Sequence, residues 1–491
     1  MMHGRGKSDG SIVPTKRSNN TPQGAAEAVE GRDPAKGNTP QQNASRTQSR
    51  THDAPSALER VRQAARSDKT LRFTTLFHHV TVDRLRASFC GLKRKAAPGV
   101  DHLTWQQYQE DLEDNLRDLH GRLHRGAYRA KPTRRVFIPK ADGRQRPLGI
   151  AALEDKIVQR AVTEILNAIY EEDFLGFSYG FRPGRSQHQA LDALAVGIFR
   201  KKVSWVLNCD ICGFFDAMSH KWIERFVEHR IGDRRLLRLI QKWLSAGVIQ
   251  GGRRTQTQVG SPQGASVSPL LANIYLHYVF DLWAQAWRRR RASGDMIILR
   301  FADDIIVGFQ RKSDADTFRF ELQQRLQRFE LELHPEKTRV LQFGKLAADF
   351  RKQDGKGRAE TFDFLGFTHI CGRSKRGKFL LHRRTIKGRM RATLRAIKSE
   401  LLRRRHLSIP EQGQWLNNVV RGYYAYYAVP TNIHRLEAFR DQVTRHWRHA
   451  LMRRSQRHRM NWERMNRLAE RWIPKPRIQH PWPNARFDAR T

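Results

Sequence analysis

The sequence predicts an α+β protein with more than one domain. Helical periodicity begins near Ala57, and from there to about Gln342 helical segments alternate with short apolar β segments. Past Arg373 the pattern becomes helical and intensely basic, up to a proline-rich stretch from Pro474 to Pro483. Because 491 residues exceed the length of one ordinary domain, we expect two or three domains.

Three segments show this organisation in chain order. Residues 1–56 are rich in Gly, Ser, Thr, Asn, Gln and Pro and poor in large apolar residues, which predicts a disordered basic tail. A polar stretch from Lys345 to Glu360 predicts a loop. A later helix has an apolar stripe at helical spacing, formed by Ile386, Met390, Leu394, Ile397 and Leu401. Basic residues lie off that stripe: Arg389, Arg391, Arg395 and Lys398.

The charge balance indicates a polyanionic partner. Lys and Arg total 91 against 48 Asp and Glu, a formal net charge of +43. Such an excess repels itself in a compact protein unless a polyanion neutralises it. Nucleic acid is the expected partner, and an anionic membrane surface is the alternative. Because the aromatic residues are scattered and no apolar run is long enough to span a bilayer, we expect no membrane association.

The cysteines indicate a reducing compartment. Four residues, Cys90, Cys209, Cys212 and Cys371, make no disulfide framework. Cys209 and Cys212 have C-x-x-C spacing, but no second ligand pair with zinc-finger spacing accompanies them. We therefore interpret the two cysteines as small buried hydrophobic residues on a core strand rather than as a metal or redox site. The first residues of the chain do not have the pattern of a secretory signal.

Two apolar β segments lie next to carboxylates. The segment Trp205–Cys209 leads into Asp210, and Asp303 and Asp304 interrupt the apolar stretch Ile297–Gly308. Two adjacent acids inside so apolar a stretch are costly unless a divalent cation neutralises them. If the two segments pair in one sheet, the carboxylates meet and can bind two Mg²⁺ ions. The alternative is a structural hairpin whose turn happens to carry two acids.

The blocks around these acids resemble the reverse transcriptases encoded by bacterial group II introns. Phe301–Asp304 resembles the (Y/F)ADD box of that family, and Asp210–Asp216 resembles the block of the first metal ligand. Further blocks follow the family's order: Ala97–Asp101 with Thr104, Ile138–Ile150, Phe177–Ser186, Gly260–Asn273, Leu333–Thr338, Phe362–Phe367 and the maturase-like Trp415–Tyr427. Cys212 and Phe301 depart from the Lys and Tyr common in the family, but neither change touches a metal ligand.

The resemblance implies a right-hand polymerase. Its fingers and ferredoxin-like palm would cover residues 57–371, a helical thumb 372–408, and a helical maturase-like RNA-binding extension 409–491. Cysteine pairs with downstream His-Asn-His spacing do not follow, so we expect no DNA endonuclease domain.

The resemblance also implies the site residues. Asp210, Asp303 and Asp304 would be catalytic and, together with Ile211, would bind two Mg²⁺ ions. The implied nucleotide-binding residues are Lys140, Arg146, Phe215, Gln263 and Lys337. The implied contacts to primer, template and RNA are Leu365, Gly366, Arg182, Arg391, Arg395, Arg421, Arg445, Arg448, Arg453 and Arg454.

Several of these assignments have a structural alternative. Lys140 and Arg146 would close on the triphosphate, or they are solvated hairpin charges. Phe215 would exclude a 2′-hydroxyl, or it is a core residue. Lys337 would donate a proton to pyrophosphate, or it is a solvated surface lysine. Arg182 would brace the fingers or meet a template phosphate. The tyrosines of the maturase-like segment would stack on RNA, or they pack as helical core.

The predicted function is RNA-directed DNA synthesis by a protein that also binds its host intron RNA and assists splicing and mobility. Its partners would be that RNA, a DNA target or primer, and deoxynucleoside triphosphates, in the bacterial cytoplasm. A domesticated reverse transcriptase of phage defence or a CRISPR locus is one alternative, and a splicing-only RNA chaperone is another. The intact set of carboxylates argues against the chaperone.

Overall fold

The computed structural model describes residues 57–139, 145–251, 253–255, 259–260, 264–355, 357, 359–454 and 459–488. The predicted tail 1–56 lies outside the described residues, as do Lys140 and Gln263 and the side chain of Arg146.

The amino-terminal part is a group of helices followed by a small sheet. The helices are α1 (Ala57–Ser67), α2 (Val82–Cys90), α3 (Trp105–Glu110) and α4 (Leu112–His124), with a 3₁₀ turn at Phe77–His79. Helix α3 begins where the sequence provides a capping box, because the Thr104 hydroxyl and the Gln107 side chain each accept a bond from the other's backbone N–H. Strands β1 (Thr133–Pro139) and β2 (Gln145–Ile150) then form an antiparallel hairpin.

The central part is a second sheet covered by helices. Four strands, β3 (Trp205–Cys209), β6 (Met296–Phe301), β7 (Asp304–Phe309) and β8 (Arg339–Gln342), lie in the antiparallel order β6-β7-β3-β8. Strands β4 (Val248–Gln250) and β5 (Arg253–Thr255) extend the β1–β2 hairpin instead. The helices are α5 (Leu153–Asp173), α6 (Gln187–Arg200), α7 (Phe214–Ala217), α8 (His220–Arg230), α9 (Arg234–Ser245), α10 (Ser268–Leu276), α11 (Leu282–Arg290) and α12 (Lys312–Arg328), and a π-helical turn, His277–Asp281, joins α10 to α11.

The carboxy-terminal part is a three-stranded sheet and a set of helices. The elements are α13 (Ala347–Gln353), β9 (Thr361–Phe364), β10 (Phe367–Arg373), β11 (Phe379–Thr385), α14 (Lys387–Arg403), α15 (Ile409–Tyr427), α16 (Ile433–Met452), α17 (Trp462–Trp472) and α18 (Pro483–Asp488). The predicted apolar stripe is confirmed in α14, where Leu394, Ile397 and Leu401 are buried.

Two local predictions are wrong. The polar stretch predicted as a loop contains helix α13, in which Ala347 is buried. The chain beyond Arg373 was predicted to be helical, yet Phe379–Thr385 is a strand paired with β10. Phe379–Thr385 pairs with the preceding strand across a short turn at Gly377, whose φ is 75°. The strand was not predicted because its basic residues resemble those of the helical region that follows.

Within the described part of the chain, three clusters of buried residues stabilise the fold. The largest joins the amino-terminal helices to one face of the central sheet. A second fills the opposite face and continues under the β9–β11 sheet. The third runs from Leu394 to Ile473 and packs α14 together with α15, α16 and α17. The regions predicted as thumb and maturase extension therefore share one hydrophobic core.

Candidate active site

The β6–β7 hairpin presents its acids in a tight turn. Phe301 pairs with Asp304, which leaves Ala302 and Asp303 as the two turn residues. Ala302 has a φ of 57°, a left-handed conformation that costs free energy in a non-glycine residue. Gly180 packs directly on this turn, since a Cβ at that position would lie 2.2 Å from the Ala302 nitrogen. A neighbouring loop therefore holds the strained turn in place.

The predicted meeting of the acids is seen in the register of the sheet. Strand β3 pairs with β7 so that Cys209 faces Ile305, which places Asp210 beside the start of β7 at Asp304. The pKa of Asp304 is raised to about 6, first by burial and then by the charges of Asp303 and Asp210. The neighbouring carboxylates of Asp303 and Asp210 therefore repel an ionised Asp304.

Residues 332–337 support Asp210 from its other side. The His334 N–H donates to the Asp210 carbonyl at 2.7 Å, and the Cys212 N–H donates to the Glu332 carbonyl at 2.9 Å. The ammonium group of Lys337 forms an ion pair with the Asp210 carboxylate. Lys337 therefore lies within the acid cluster, where the sequence predicted a nucleotide-binding role.

The acids fit a divalent cation by the chemistry of their donors. Carboxylate oxygens are the ligands that Mg²⁺ prefers, and the repulsion felt by Asp304 is what a cation would relieve. Ile211, the residue after Asp210, is buried. Across the described part of the chain, no three His, Cys, Asp or Glu side chains are grouped closely enough to bind a metal together. Lys337 on Asp210 is one contact that a cation would have to replace.

A buried ion pair beneath the turn was missed by sequence reasoning. Arg300 is 0% exposed and binds Asp281, also 0% exposed, through two hydrogen bonds of 2.7 and 2.6 Å. Its remaining Nη1 donates to Asn273 Oδ1 at 2.9 Å and to the Ala302 carbonyl at 3.1 Å. Asn273 in turn donates to the Gly180 carbonyl at 2.7 Å. The signal in the sequence was one arginine inside the apolar strand Met296–Phe301.

The predicted sugar-contacting residue lies close to the acids. Gly213, with a φ of 50°, lets the chain turn after Asp210 into the short helix Phe214–Ala217. Phe214 is buried, whereas Phe215 is partly exposed.

Gly264, next to Gln263, packs against strand β2, where a Cβ would lie 2.6 Å from the Gly149 carbonyl. The chain at Gly264 therefore packs on the β1–β2 hairpin.

Leu365 and Gly366 form the predicted hairpin turn. Their φ angles are 45° and 83°, and Phe364 pairs with Phe367 across them. Both turn carbonyls are bound, since Tyr426 Oη donates to Leu365 at 2.8 Å and the Ile386 N–H donates to Gly366 at 3.2 Å. Helix α15 of the maturase-like region therefore holds this turn directly.

The arginines proposed to contact nucleic acid divide into two sets. Exposed on the surface are Arg391, Arg395, Arg421, Arg445 and Arg453. The remaining arginines form hydrogen bonds or ion pairs within the protein. Arg182 is 4% exposed, pairs with Glu171 at 3.0 Å and donates to the Ser178 carbonyl, which favours the bracing role over a phosphate contact. Arg448 donates to the Met460 carbonyl at 2.9 Å, and Arg454 donates to the Leu407 carbonyl.

The tyrosines of the maturase-like segment are largely core residues. Tyr423 and Tyr424 are buried, and Tyr423 stacks on Phe439 with ring centroids 3.7 Å apart. Tyr426 stacks on Phe367 of the hairpin at 5.9 Å. For these rings the structure favours packing over stacking on RNA. Cys209 is buried on its strand as predicted, and burial raises the pKa of its thiol.

Comparison with known proteins places residues 138–369 in the family described as reverse transcriptase (RNA-dependent DNA polymerase). Protein YkfC of Escherichia coli is 38% identical over 220 residues, which cover 43% of this chain and 58% of the relative. Group II intron-encoded protein LtrA of Lactococcus lactis is 39% identical over 166 residues, covering 34% and 27%. A putative COX1/OXI3 intron 1 protein of Saccharomyces cerevisiae is 26% identical over 423 residues, covering 72% and 50%. The chain thus spans less than two thirds of each of these relatives.

Helices long and apolar enough to cross a bilayer do not occur among the described residues.

Proposed function

Because this chain belongs to the family of group II intron-encoded reverse transcriptases, we propose that it is an RNA-directed DNA polymerase that also binds its host intron RNA and assists splicing and mobility. The observation that carries the proposal is the meeting of Asp210 with the Asp303–Asp304 turn inside the segment matched to the family. Its substrates would be deoxynucleoside triphosphates, a primer and an RNA template, in the bacterial cytoplasm.

In this proposal the central sheet is the palm, the β1–β2 hairpin belongs to the fingers, and the helices from Lys387 onward form the thumb and maturase extension. Asp210, Asp303 and Asp304, with the Ile211 carbonyl, would hold two Mg²⁺ ions. Such ions would supply a lowered pKa for a primer 3′-hydroxyl and positive charge beside the leaving pyrophosphate.

The surrounding residues would bind and orient the substrates. Lys140 and Arg146 would contact the triphosphate, and Lys337 would move from Asp210 towards the pyrophosphate. Phe215 would close the space beside the sugar C2′ position, and Gln263 would lie against the new base pair. The Leu365–Gly366 turn would hold the primer strand, with its carbonyls already bound by the protein.

Primer extension on an RNA template tests the polymerase assignment. Asp303→Ala should lower the rate by several orders of magnitude, because electrostatic stabilisation by the ions is the main catalytic term. Asp114→Ala is the matched control, since Asp114 is an exposed carboxylate on a distant helix. Near-normal extension by Asp303→Ala, with the control also normal, would exclude this site as the catalytic centre.

Splicing tests the RNA-binding half of the proposal. The double variant Arg445→Ala with Arg453→Ala removes two exposed cations and leaves the internally bound Arg448 and Arg454 in place. We expect weaker intron binding, and the slope of log K against log salt concentration should become shallower by about 1 to 2. Extension on an unrelated primer-template should persist. Unchanged splicing by this variant would argue for the domesticated reverse transcriptase.

A further inference from the structure

Phe181 is an aromatic residue held at the surface beside the acid turn. The residue is 54% exposed, although buried apolar residues lie close by in the same loop. Its φ of 59° lies in the left-handed region, which a bulky side chain adopts only at a cost in free energy. A conformation of this kind persists where the surrounding structure imposes it, so we ask what fixes the loop and what the ring contacts.

Both neighbours of Phe181 are immobilised. Gly180 packs on the Ala302 nitrogen and its carbonyl accepts from Asn273. Arg182 on the other side is buried and bound to Glu171. Earlier in the loop, the Tyr179 N–H donates to the Arg300 carbonyl at 2.8 Å. These contacts fix the backbone on both sides of Phe181.

The ring contacts Phe215. The two centroids are 6.4 Å apart and the planes cross at 76°, an edge-to-face arrangement. Phe215 also packs against the buried Phe214, with centroids 5.6 Å apart. Phe215 thus contacts both a core ring and a surface ring. Without Phe181, this partly exposed side chain on a helix of four residues would be open on one side.

We propose that Phe181 is a specificity-determining positioning residue that holds Phe215 in place, so that the site rejects nucleotides with a 2′-hydroxyl. The inference rests on the proposed function and on the sugar-contacting role of Phe215. A ring excludes a hydroxyl by its bulk alone as long as it cannot rotate away. Phe181 blocks the rotation from the solvent side, and the strained loop that carries it is anchored to the same turn that bears Asp303.

The test uses two substitutions at Phe181 in the full-length protein. Phe181→Gly removes the ring and also suits the left-handed backbone, so this variant should fold at least as stably as the wild type. Phe181→Leu keeps part of the bulk. The matched control is Phe320→Ala, because Phe320 is 62% exposed on helix α12.

The readout is the ratio of kcat/KM for a deoxynucleotide to that for the matching ribonucleotide. We expect Phe181→Gly to lower this ratio on the order of tenfold, Phe181→Leu to lower it less, and the control to leave it unchanged. The kcat for the deoxynucleotide should stay near the wild-type value in all three. In a Phe215→Ala background, Phe181→Gly should lower the ratio no further, because the two rings act as one unit.

The outcomes separate the inference from its premises. A wild-type protein that makes no DNA would refute the proposed function. If Phe215→Ala leaves the ratio unchanged, the sugar-contacting role is wrong. If Phe215→Ala lowers the ratio and folded Phe181→Gly does not, Phe181 is not a positioning residue and the inference is overturned. Additive effects in the double variant would also overturn it, since they would mean that Phe181 acts independently of Phe215.

Discussion

The buried pair of Arg300 and Asp281 offers the sharpest test of how the acid turn is built. Replacing Arg300 with Met keeps much of the side-chain volume but leaves Asp281 fully buried without its cation. Burial already raises the pKa of Asp281, and the Arg300 charge works against that rise. Breaking such a pair from one side costs about 3–5 kcal/mol. We expect Arg300→Met to lower the free energy of unfolding by that amount.

A second variant separates the lost pair from the lost volume. Arg300→Met combined with Asp281→Leu removes both charges, and replacing a buried ion pair by apolar groups is often close to neutral. Urea denaturation at pH 7 should therefore place the double variant well above the single one in stability. In both variants the Ala302 carbonyl loses its Arg300 donor, so primer extension should remain below wild type even where the protein is folded.

The result that would refute this reasoning is a single variant that loses less than about 1 kcal/mol, or a double variant no more stable than the single one. Either would mean that the pair is not the support of the turn.

Two further predictions concern contacts made with the carboxy-terminal elements. The pKa of His188, stacked on His480 at 3.8 Å, is lowered to about 4, chiefly by burial. The fold therefore favours neutral His188, and stability present above pH 6.5 should be lost as pH falls towards 4, by at most about 2 kcal/mol between pH 7 and pH 5. Urea denaturation of His188→Phe should show a smaller loss over this range, and an equal loss would contradict the assignment. Tyr426→Phe removes the bond to Leu365 while keeping the stacked ring, so stability should fall by about 1 kcal/mol and the KM for primer-template should rise several-fold, with the KM for nucleotide unchanged. A primer-template KM equal to wild type in steady-state extension assays would mean that the turn does not hold the primer.

Much of this protein was determined by local features of the sequence. The acid hairpin is predictable because two carboxylates interrupt an apolar strand pattern, and the turn follows from where that pattern breaks. The helix with its stripe from Met390 to Leu401 is predictable for the same reason, since periodicity is a property of neighbouring residues. The net charge likewise indicates a polyanion without reference to any fold.

Other features were decided by residues far apart in the chain. Tyr426 binds Leu365 across 61 residues, and Phe181 meets Phe215 although no local pattern joins them.

Whether an arginine is a surface cation or an internal brace was also decided by the tertiary structure. Arg182 and Arg445 look alike in sequence, yet one is buried against Glu171 and the other is exposed. The physical reason is that burial and ion pairing depend on which residues the fold places around a side chain. The identity of those residues cannot be deduced from the neighbouring sequence.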